Sequence, residues 1–172
     1  MIAGWLLACA GCGDNLLPSG EDKRPSIQAG SIGANVSQKA PDFSISDSNE
    51  VIVTLASSLA GKKGAVFYFT MWCPTCDSHT NNMRASITPS FSDVNFYLVD
   101  YVTGSVDGAA RAASENGYSG GVFAILADTN RTLFNNFQAK MGTTVVIDSA
   151  GTVLMNEEYK EIRLQSILAA MQ

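Results

Sequence analysis

A continuous apolar run that leads into two closely spaced cysteines limits the folds open to this chain more than any other part of its sequence. Residues 65–70 (AVFYFT) are almost entirely apolar and follow a turn-forming segment at 61–64 (GKKG). This pattern is typical of a central strand that is buried on both faces. The sequence WCPTC follows at 72–76, and proline is favoured in the first turn of a helix. We therefore predict a buried strand that ends at a helix N-terminus, with both cysteines at the junction.

The other apolar segments alternate between strand and helix patterns. Short alternating segments on either side of a turn at 47–49 predict an N-terminal hairpin, and a second hairpin is predicted around the turn at 149–151. Further strands are predicted over 94–99 and 122–126, and helices over 74–87, 106–116, 129–139 and 162–171. Strands that alternate with helices predict an α/β fold with a central mixed sheet flanked by helices.

Composition restricts the function classes. The 172 residues are 46% hydrophobic and 16% charged, which fits one folded domain with a leader. The formal net charge is -5, and the sequence has no basic stripe, so we predict no nucleic-acid partner.

The N-terminus resembles an export signal. Residues 1–12 are apolar and small, too short to span a bilayer, and residues 10–12 (AGC) resemble the lipobox of bacterial lipoproteins. Cys12 is the predicted lipidation site, and Cys9 is the competing one. Residues 13–39 are rich in glycine, serine and proline and are predicted to be a flexible tether. The folded domain is predicted to cover residues 40–172, held by its lipid anchor in the periplasm or at the outer face of the cytoplasmic membrane.

The cysteine pair is the predicted catalytic site. A thiolate at a helix N-terminus faces unpaired backbone N–H groups, which lower its pKa, so we predict that Cys73 is the nucleophile. Cys76 lies close to one helical turn further on and is the predicted resolving thiol. Trp72 and Pro74 are expected to shape the site, with Trp72 covering it by apolar surface.

A redox role is not the sole chemistry open to a cysteine pair. The two thiols could form a structural disulfide, or they could belong to a metal site that would make the protein a copper carrier. Zinc usually takes four protein ligands, and the one histidine, His79, is expected on a solvated helix face. We therefore predict no metal ligands, and no cofactor beyond a redox-active disulfide between Cys73 and Cys76.

Residues 40–172 resemble thioredoxin-like proteins, and most closely the exported TlpA/ResA-like thiol-disulfide oxidoreductases, which are redoxins of the AhpC/TSA type. The segments APDF (40–43), LAGK (59–62), WCPTC (72–76) and TTVVIDSAG (143–151) match that family's segments in order. The resemblance implies a thioredoxin-like fold with an inserted strand and helix between 122 and 139. It also implies disulfide exchange with protein dithiols, apocytochrome c among them, a thiol reductant in the membrane as electron donor, and Thr75 as a site-shaping residue.

The sequence departs from that family at two positions. Gly142, preceded by Met141, stands where the family has a cis-proline, and a cis bond without proline costs about 2.5–4 kcal/mol. We therefore expect a trans or rearranged loop that leaves the thiols more open. Phe67 stands where thioredoxins have a buried acid, so another proton acceptor, or water, is required.

A second resemblance gives an alternative function. Residues 69–75 resemble the peroxidatic loop of peroxiredoxins, in which a threonine three residues before the cysteine helps to bind peroxide. Thr70 has that spacing, which implies a thiol peroxidase with Cys73 as its peroxidatic cysteine.

Overall fold

Two β-sheets form the frame of the described part of the chain, residues 26–171 of a computed structural model. The smaller sheet is an antiparallel hairpin of β1 (Ser44–Ser46) and β2 (Ile52–Thr54). The larger sheet has five strands: β3 (Gly64–Thr70), β4 (Val94–Asp100), β5 (Phe123–Ala127), β6 (Thr143–Asp148) and β7 (Val153–Glu158).

The strand order in the larger sheet is β5-β4-β3-β6-β7. Strand β3 is central, parallel to β4 and antiparallel to β6, and every one of its residues is buried. Strand β5 extends the parallel side and β7 the antiparallel side. The structure thus confirms the predicted mixed sheet and the buried strand that precedes the cysteines.

Five α-helices accompany the strands: α1 (Leu55–Leu59), α2 (Pro74–Asn82), α3 (Val106–Glu115), α4 (Thr132–Asn136) and α5 (Glu161–Ala170). A π-helical turn (Met83–Ile87) and a 3-10 turn (Thr88–Ser90) continue α2. The predicted helices over 74–87, 106–116 and 162–171 are confirmed in position. No helix among residues 26–171 has the length and apolar character needed to cross a membrane.

Two helices differ from the prediction. Helix α1 was not predicted, because five residues are too few to show a helical period; it is fixed by a capping box between Thr54 and Ser57. Helix α4 is shorter than the predicted 129–139, because Arg131 has a left-handed backbone (φ 55°) and the helix begins only after it.

The side chains of β3 alternate between two apolar layers. Val66 and Tyr68 face a cluster that includes Cys76 of α2 and Leu164 of α5. Phe67 belongs to the opposite cluster, with the N-terminal hairpin, α1 and α4. Of the apolar side chains of β3, those of Val66 and Tyr68 lie in the layer that contains Cys76, and the Thr70 side chain, at the end of the strand, also lies next to Cys76.

The folded body begins N-terminal to the boundary predicted at Ala40. The Ser37 amide donates to Val153 O, the Ala40 amide donates to Gly151 O, and Lys39 Nζ donates to Ala150 O. Ala34 is buried. This end of the predicted tether is held because its backbone groups pair with the start of β7 and the turn before it. The predicted signal at 1–12 lies outside the described residues.

Candidate active site

The two cysteines lie at the junction between β3 and α2. Cys73 is the N-cap of α2, and its Sγ accepts a hydrogen bond from the Cys76 backbone N–H at 3.2 Å. The two Sγ atoms lie 2.7 Å apart, a spacing from which a disulfide closes with a small movement. Both thiols are free. The predicted junction of strand, cysteine pair and helix is therefore present.

The two sulfurs differ in their access to solvent. Cys73 is half-buried, whereas Cys76 is 1% exposed and belongs to the core beneath α2. A macromolecular disulfide can reach Cys73 from outside and cannot reach Cys76. The pair thus has one accessible sulfur and one protected sulfur.

The thiols titrate as a pair because their sulfurs share a hydrogen bond. Burial raises the pKa of Cys73, and the S–H that it gives to Cys76 raises it further, whereas the backbone N–H groups of Cys76 and Thr75 lower it. Burial also raises the pKa of Cys76, but the S–H of Cys73, the backbone N–H groups of Met71 and Cys73 and the nearby Thr70 hydroxyl outweigh burial and lower that pKa overall.

The predicted lowering of the Cys73 pKa is wrong for the reduced pair: the pKa of Cys73 is raised overall and that of Cys76 is lowered, so the charge is favoured on Cys76. The Cys76 backbone N–H at the helix N-terminus does stabilise a charge on Cys73, but the two sulfurs also share a hydrogen bond in which either can be the donor. One negative charge therefore belongs to the pair. Transfer of the shared proton to Cys76 leaves that charge on the accessible sulfur of Cys73.

Trp72 is anchored by polar contacts as well as by packing. Its backbone lies in the left-handed region (φ 58°), which costs about 1–3 kcal/mol for a residue with a side chain. Two hydrogen bonds offset this cost: the Trp72 amide donates to Thr70 Oγ1 at 3.0 Å, and Nε1 donates to Asp100 Oδ2 at 2.9 Å. The expected cover of the site is therefore a tightly fixed one.

Thr70 lies beneath the site. Its side chain is 1% exposed, and its hydroxyl accepts the Trp72 N–H. Pro74 occupies the start of α2 as expected, and both Pro74 and Thr75 are exposed. Thr70 thus supports the loop from below, and its position does not favour the peroxide-binding role implied by the second resemblance.

The loop before β6 contacts Cys73 directly. Met141 is 39% exposed, and its Sδ lies 3.4 Å from Cys73 Sγ. Gly142 has φ 78°, its amide donates to Phe69 O, and its carbonyl accepts the Tyr159 amide. The described residues contain no cis peptide bond, in agreement with the expected trans loop. A thioether, rather than a proline ring, covers the accessible sulfur.

Two residues next to the pair were not predicted from the sequence to belong to the site. His79 is half-buried, not on a solvated face: its Nδ1 lies 2.9 Å from the hydroxyl of Tyr68, and its ring packs on Tyr159 at 4.6 Å. Tyr68 packs in the same buried cluster as Cys76, and the nearby Cys76 thiol adds to the burial that raises the pKa of Tyr68. The spacing of three residues between Cys76 and His79 was the one signal in the sequence, since it puts both on the same side of α2.

Within residues 26–171, no three His, Cys, Asp or Glu side chains come together as a metal ligand set. Cys9 and Cys12 lie outside the described residues. Since the described cysteines are only Cys73 and Cys76, the chemistry that the described site offers is that of a dithiol.

Comparison with known proteins gives a family match and a set of structural likenesses. The AhpC/TSA family model matches residues 36–155. No curated protein matches the chain.

Three solved structures illustrate the likeness in fold. MTB DsbF, seen in mixed oxidised and reduced forms, is 24% identical, with 76% of this chain and 95% of that chain covered and a TM-score of 0.61. A secreted disulfide oxidoreductase of Mycobacterium tuberculosis homologous to E. coli DsbE is 20% identical, with 74% and 95% covered and a TM-score of 0.56. The peroxidoxin BcpB of Mycobacterium tuberculosis is 22% identical, with 78% and 96% covered and a TM-score of 0.61. These likenesses confirm the predicted thioredoxin-like fold.

Proposed function

The chain belongs to the AhpC/TSA family of oxidoreductases, and from that premise we propose that it exchanges disulfides with protein partners through Cys73 and Cys76. The main support for the proposal is the difference in solvent access between the two cysteines: their sulfurs lie 2.7 Å apart, and of the two only Cys73 is accessible. A peroxidase needs only the accessible sulfur, whereas a thiol-disulfide exchanger needs both. No cofactor other than the disulfide between them is required.

The exchange takes place in two steps. The Cys73 thiolate attacks one sulfur of a partner disulfide, forms a mixed disulfide and releases the partner's other sulfur as a thiolate. Cys76, as a thiolate, then attacks the Cys73 sulfur; the Cys73–Cys76 disulfide forms, the mixed disulfide breaks, and the partner's second sulfur leaves with the electron pair. The partner gains two electrons and the pair loses two.

The surroundings of Cys73 fit a protein partner better than a small oxidant. Met71 and Met141 are exposed large apolar side chains, at 44% and 39%, and Met141 touches the accessible sulfur. Flexible thioethers adapt to varied apolar surfaces. We propose that partner segments next to a disulfide pack on these two methionines, and, from the TlpA/ResA resemblance, that apocytochrome c is among the partners and a membrane thiol reductant resets the pair.

The test is reduction of insulin and of a disulfide-closed apocytochrome c peptide, with dithiothreitol as electron donor. We expect wild type and the control Ser78→Ala, an exposed position on the same helix, to be active, and Cys73→Ser to be inactive. Equal activity in Cys73→Ser and wild type would overturn the proposal. Rapid sulfenic acid formation at Cys73 with hydrogen peroxide, lost in Thr70→Val, would favour the peroxidase instead.

We further propose export and a lipid anchor at Cys12, supported by the apolar run at 1–12 and the AGC sequence that ends it. Metabolic labelling with a fatty acid, in cells that make the full chain, tests this. Label is expected in wild type and in Cys9→Ser and absent in Cys12→Ser. Label that persists in Cys12→Ser and disappears in Cys9→Ser would move the anchor to the other cysteine, and no label in wild type would remove it.

A further inference from the structure

The second step of the proposed exchange requires a proton acceptor inside the protein. Cys76 is 1% exposed, so water has little access to its thiol. In the reduced pair its hydrogen-bond partner is Cys73, but in the mixed disulfide Cys73 has no charge and no proton to exchange. Phe67, at the position of the thioredoxin acid, packs in the cluster on the opposite face of the sheet. Another group must therefore take the Cys76 proton.

Tyr68 and His79 form a connected path that leads away from Cys76. The Tyr68 side chain packs in the same buried cluster as Cys76, and its hydroxyl lies 2.9 Å from His79 Nδ1. Tyr68 is 1% exposed. His79 is only half-buried. The path therefore starts at a buried sulfur and ends at a ring that reaches solvent.

We propose that Tyr68 and His79 form the proton relay that deprotonates Cys76 when it resolves the mixed disulfide. The inference rests on the proposed function and names the groups that perform its second step. In that step the Cys76 proton moves to the Tyr68 oxygen as the Tyr68 proton moves to His79 Nδ1. The Cys76 sulfur forms its bond to Cys73, and the electron pair of the broken bond leaves on the partner's sulfur. His79, now an imidazolium, releases a proton to solvent from Nε2.

The protonation states of the two residues suit these roles. Burial lowers the pKa of His79 below its ordinary value of 6.5, so the ring is neutral and can accept a proton at neutral pH. Burial, and then the nearby Cys76, raise the pKa of Tyr68 above its ordinary value of 10.0. Tyr68 therefore passes a proton on as a hydroxyl and does not form a phenolate. The titratable groups in contact with His79 are Tyr68 of β3 and Tyr159 after β7; on its own helix, Cys76 lies three residues before it.

The loop before β6 leaves this path open. A Cβ atom at Gly142 would lie 3.9 Å from both the Tyr68 hydroxyl and His79 Nδ1. Gly142 thus stands directly over the Tyr68–His79 hydrogen bond without a side chain. The residue that replaces the family's cis-proline is therefore also the one that borders the proposed relay.

The two steps can be separated with Ellman's reagent, 5,5′-dithiobis(2-nitrobenzoate), in stopped flow. The reduced full-length protein and all its variants carry Cys9→Ser and Cys12→Ser, so that Cys73 and Cys76 are the thiols that react. Attack by Cys73 releases one thionitrobenzoate, and attack by Cys76 on the resulting mixed disulfide releases a second. We expect Tyr68→Phe and His79→Gln to leave the first release within about twofold of wild type. A general base typically contributes about 10²- to 10⁴-fold, so the second release is expected to slow by at least about tenfold in each variant.

The pH dependence of the second release distinguishes a proton-accepting role of His79 from a purely structural one, because a structural role would not change with the protonation of the ring. In wild type the second release is expected to slow below pH 6.5 as His79 becomes protonated, and His79→Gln is expected to lack this decrease. Tyr159→Phe is the matched control, because its ring packs on His79 while its hydroxyl is bonded to Asn82. The control is expected to keep the wild-type second rate and its pH profile.

The possible outcomes distinguish a failure of the Tyr68–His79 relay from a failure of the dithiol exchange. A second release at the wild-type rate in either Tyr68→Phe or His79→Gln overturns the relay and leaves the dithiol exchange intact. A single release in wild type, equal to that of Cys76→Ser, overturns the exchange itself. Circular dichroism checks that each variant is folded, and if Tyr68→Phe is not, the rate and pH profile of His79→Gln decide alone.

Discussion

The sulfurs of Cys73 and Cys76 share one proton but not one environment, and their roles follow from that difference. Cys73 is the half-buried N-cap of α2, and Cys76 lies in the core. The shared proton can move to Cys76, which exposes a thiolate on Cys73 for attack. The same move protonates the thiol that must attack next. An exchange site of this kind therefore needs a second acceptor, and the position of His79 provides one.

Protonation of His79 is expected to affect stability as well as rate. Burial lowers its pKa in the folded state, so below pH 6.5 the unfolded chain binds more protons than the folded one and stability falls as pH falls. The decrease begins as pH drops through 6.5 and levels off below the folded pKa. Urea unfolding between about pH 5 and 7.5 should show this trend in wild type and a smaller one in His79→Gln. Identical pH trends in the two proteins would contradict the burial of this ring.

Met141 is expected to shield the accessible thiol. Its Sδ lies 3.4 Å from Cys73 Sγ, so Met141→Ala removes both a weak acceptor and a steric cover. Alkylation of Cys73 by iodoacetamide, followed by mass spectrometry, should be severalfold faster in Met141→Ala. Val122→Ala, at an exposed apolar position away from the cysteines, is the control and should react like wild type. A slower reaction in Met141→Ala would show that the thioether activates the thiol and does not cover it.

At this scale the sequence predicted the cysteine pair and its N-cap position, because both depend on neighbours in the chain. It did not predict the role of Tyr68 or the burial of His79. Their contact joins β3 to α2 across a separation of 11 residues, and only the packing of that helix on the sheet brings them together.

The turn between β3 and α2 is held by the neighbouring strand β4. Asp100, the last residue of β4, is 2% exposed, and its carboxylate accepts from Trp72 Nε1 and from the backbone N–H groups of Val102 and Thr103. One buried carboxylate thus ties the loop after β4 to the loop that carries the cysteines. The position of Cys73 depends on an element about thirty residues away in sequence.

Asp100→Ala tests this connection. The substitution leaves buried donors unpaired, at about 1–3 kcal/mol for a group of this kind, so we expect the free energy of unfolding to fall by about that amount or more. Urea unfolding measures the loss, and the near-ultraviolet circular dichroism of Trp72 should weaken. Asp107→Ala, at an exposed acidic position in α3, is the control. If both variants had wild-type stability and spectra, Asp100 would not hold the turn.

The strands and longer helices were predictable because their periodicity extends over enough residues to be read. The short helices were not: α1 depends on one capping box, and α4 on the left-handed backbone of Arg131. Asp128, whose carboxylate accepts from the amides of Leu133 and Phe134, fixes where α4 can begin. A helix boundary that depends on one capping contact does not produce a periodic pattern of apolar residues in the sequence.

For the whole molecule, the packed body extends further toward the N-terminus than composition indicated. Gln38 is 9% exposed; its Oε1 accepts from the backbone and side-chain amides of Asn35, and its Nε2 donates to Ser31 Oγ. The glycine- and serine-rich composition predicted a flexible tether. Composition does not show that one buried side-chain amide, that of Gln38, holds this loop together. The family match likewise begins at residue 36.

Gln38→Ala is expected to destabilise the protein by about 1–3 kcal/mol, because it removes the hydrogen bonds of Gln38 to Asn35 and Ser31, each of which contributes about 0.5–1.5 kcal/mol. The midpoint of urea unfolding measures this loss. Gln28→Ala replaces the same residue type at an exposed position and should unfold like wild type. Equal midpoints for all three proteins would mean that the loop at 31–39 adds nothing to the stability of the fold.

Cys73 attacks the partner disulfide and Cys76 releases the partner, and intact-mass spectrometry of trapped complexes is the sharpest test of this order. In a Cys9→Ser and Cys12→Ser background, which removes the other two thiols of the chain, reduced Cys76→Ser is mixed with a peptide that contains one disulfide, quenched with acid and weighed. We expect a stable one-to-one adduct joined through Cys73, and no adduct with Cys73→Ser. An adduct that forms equally well with Cys73→Ser, or the absence of any adduct with Cys76→Ser, would contradict this order.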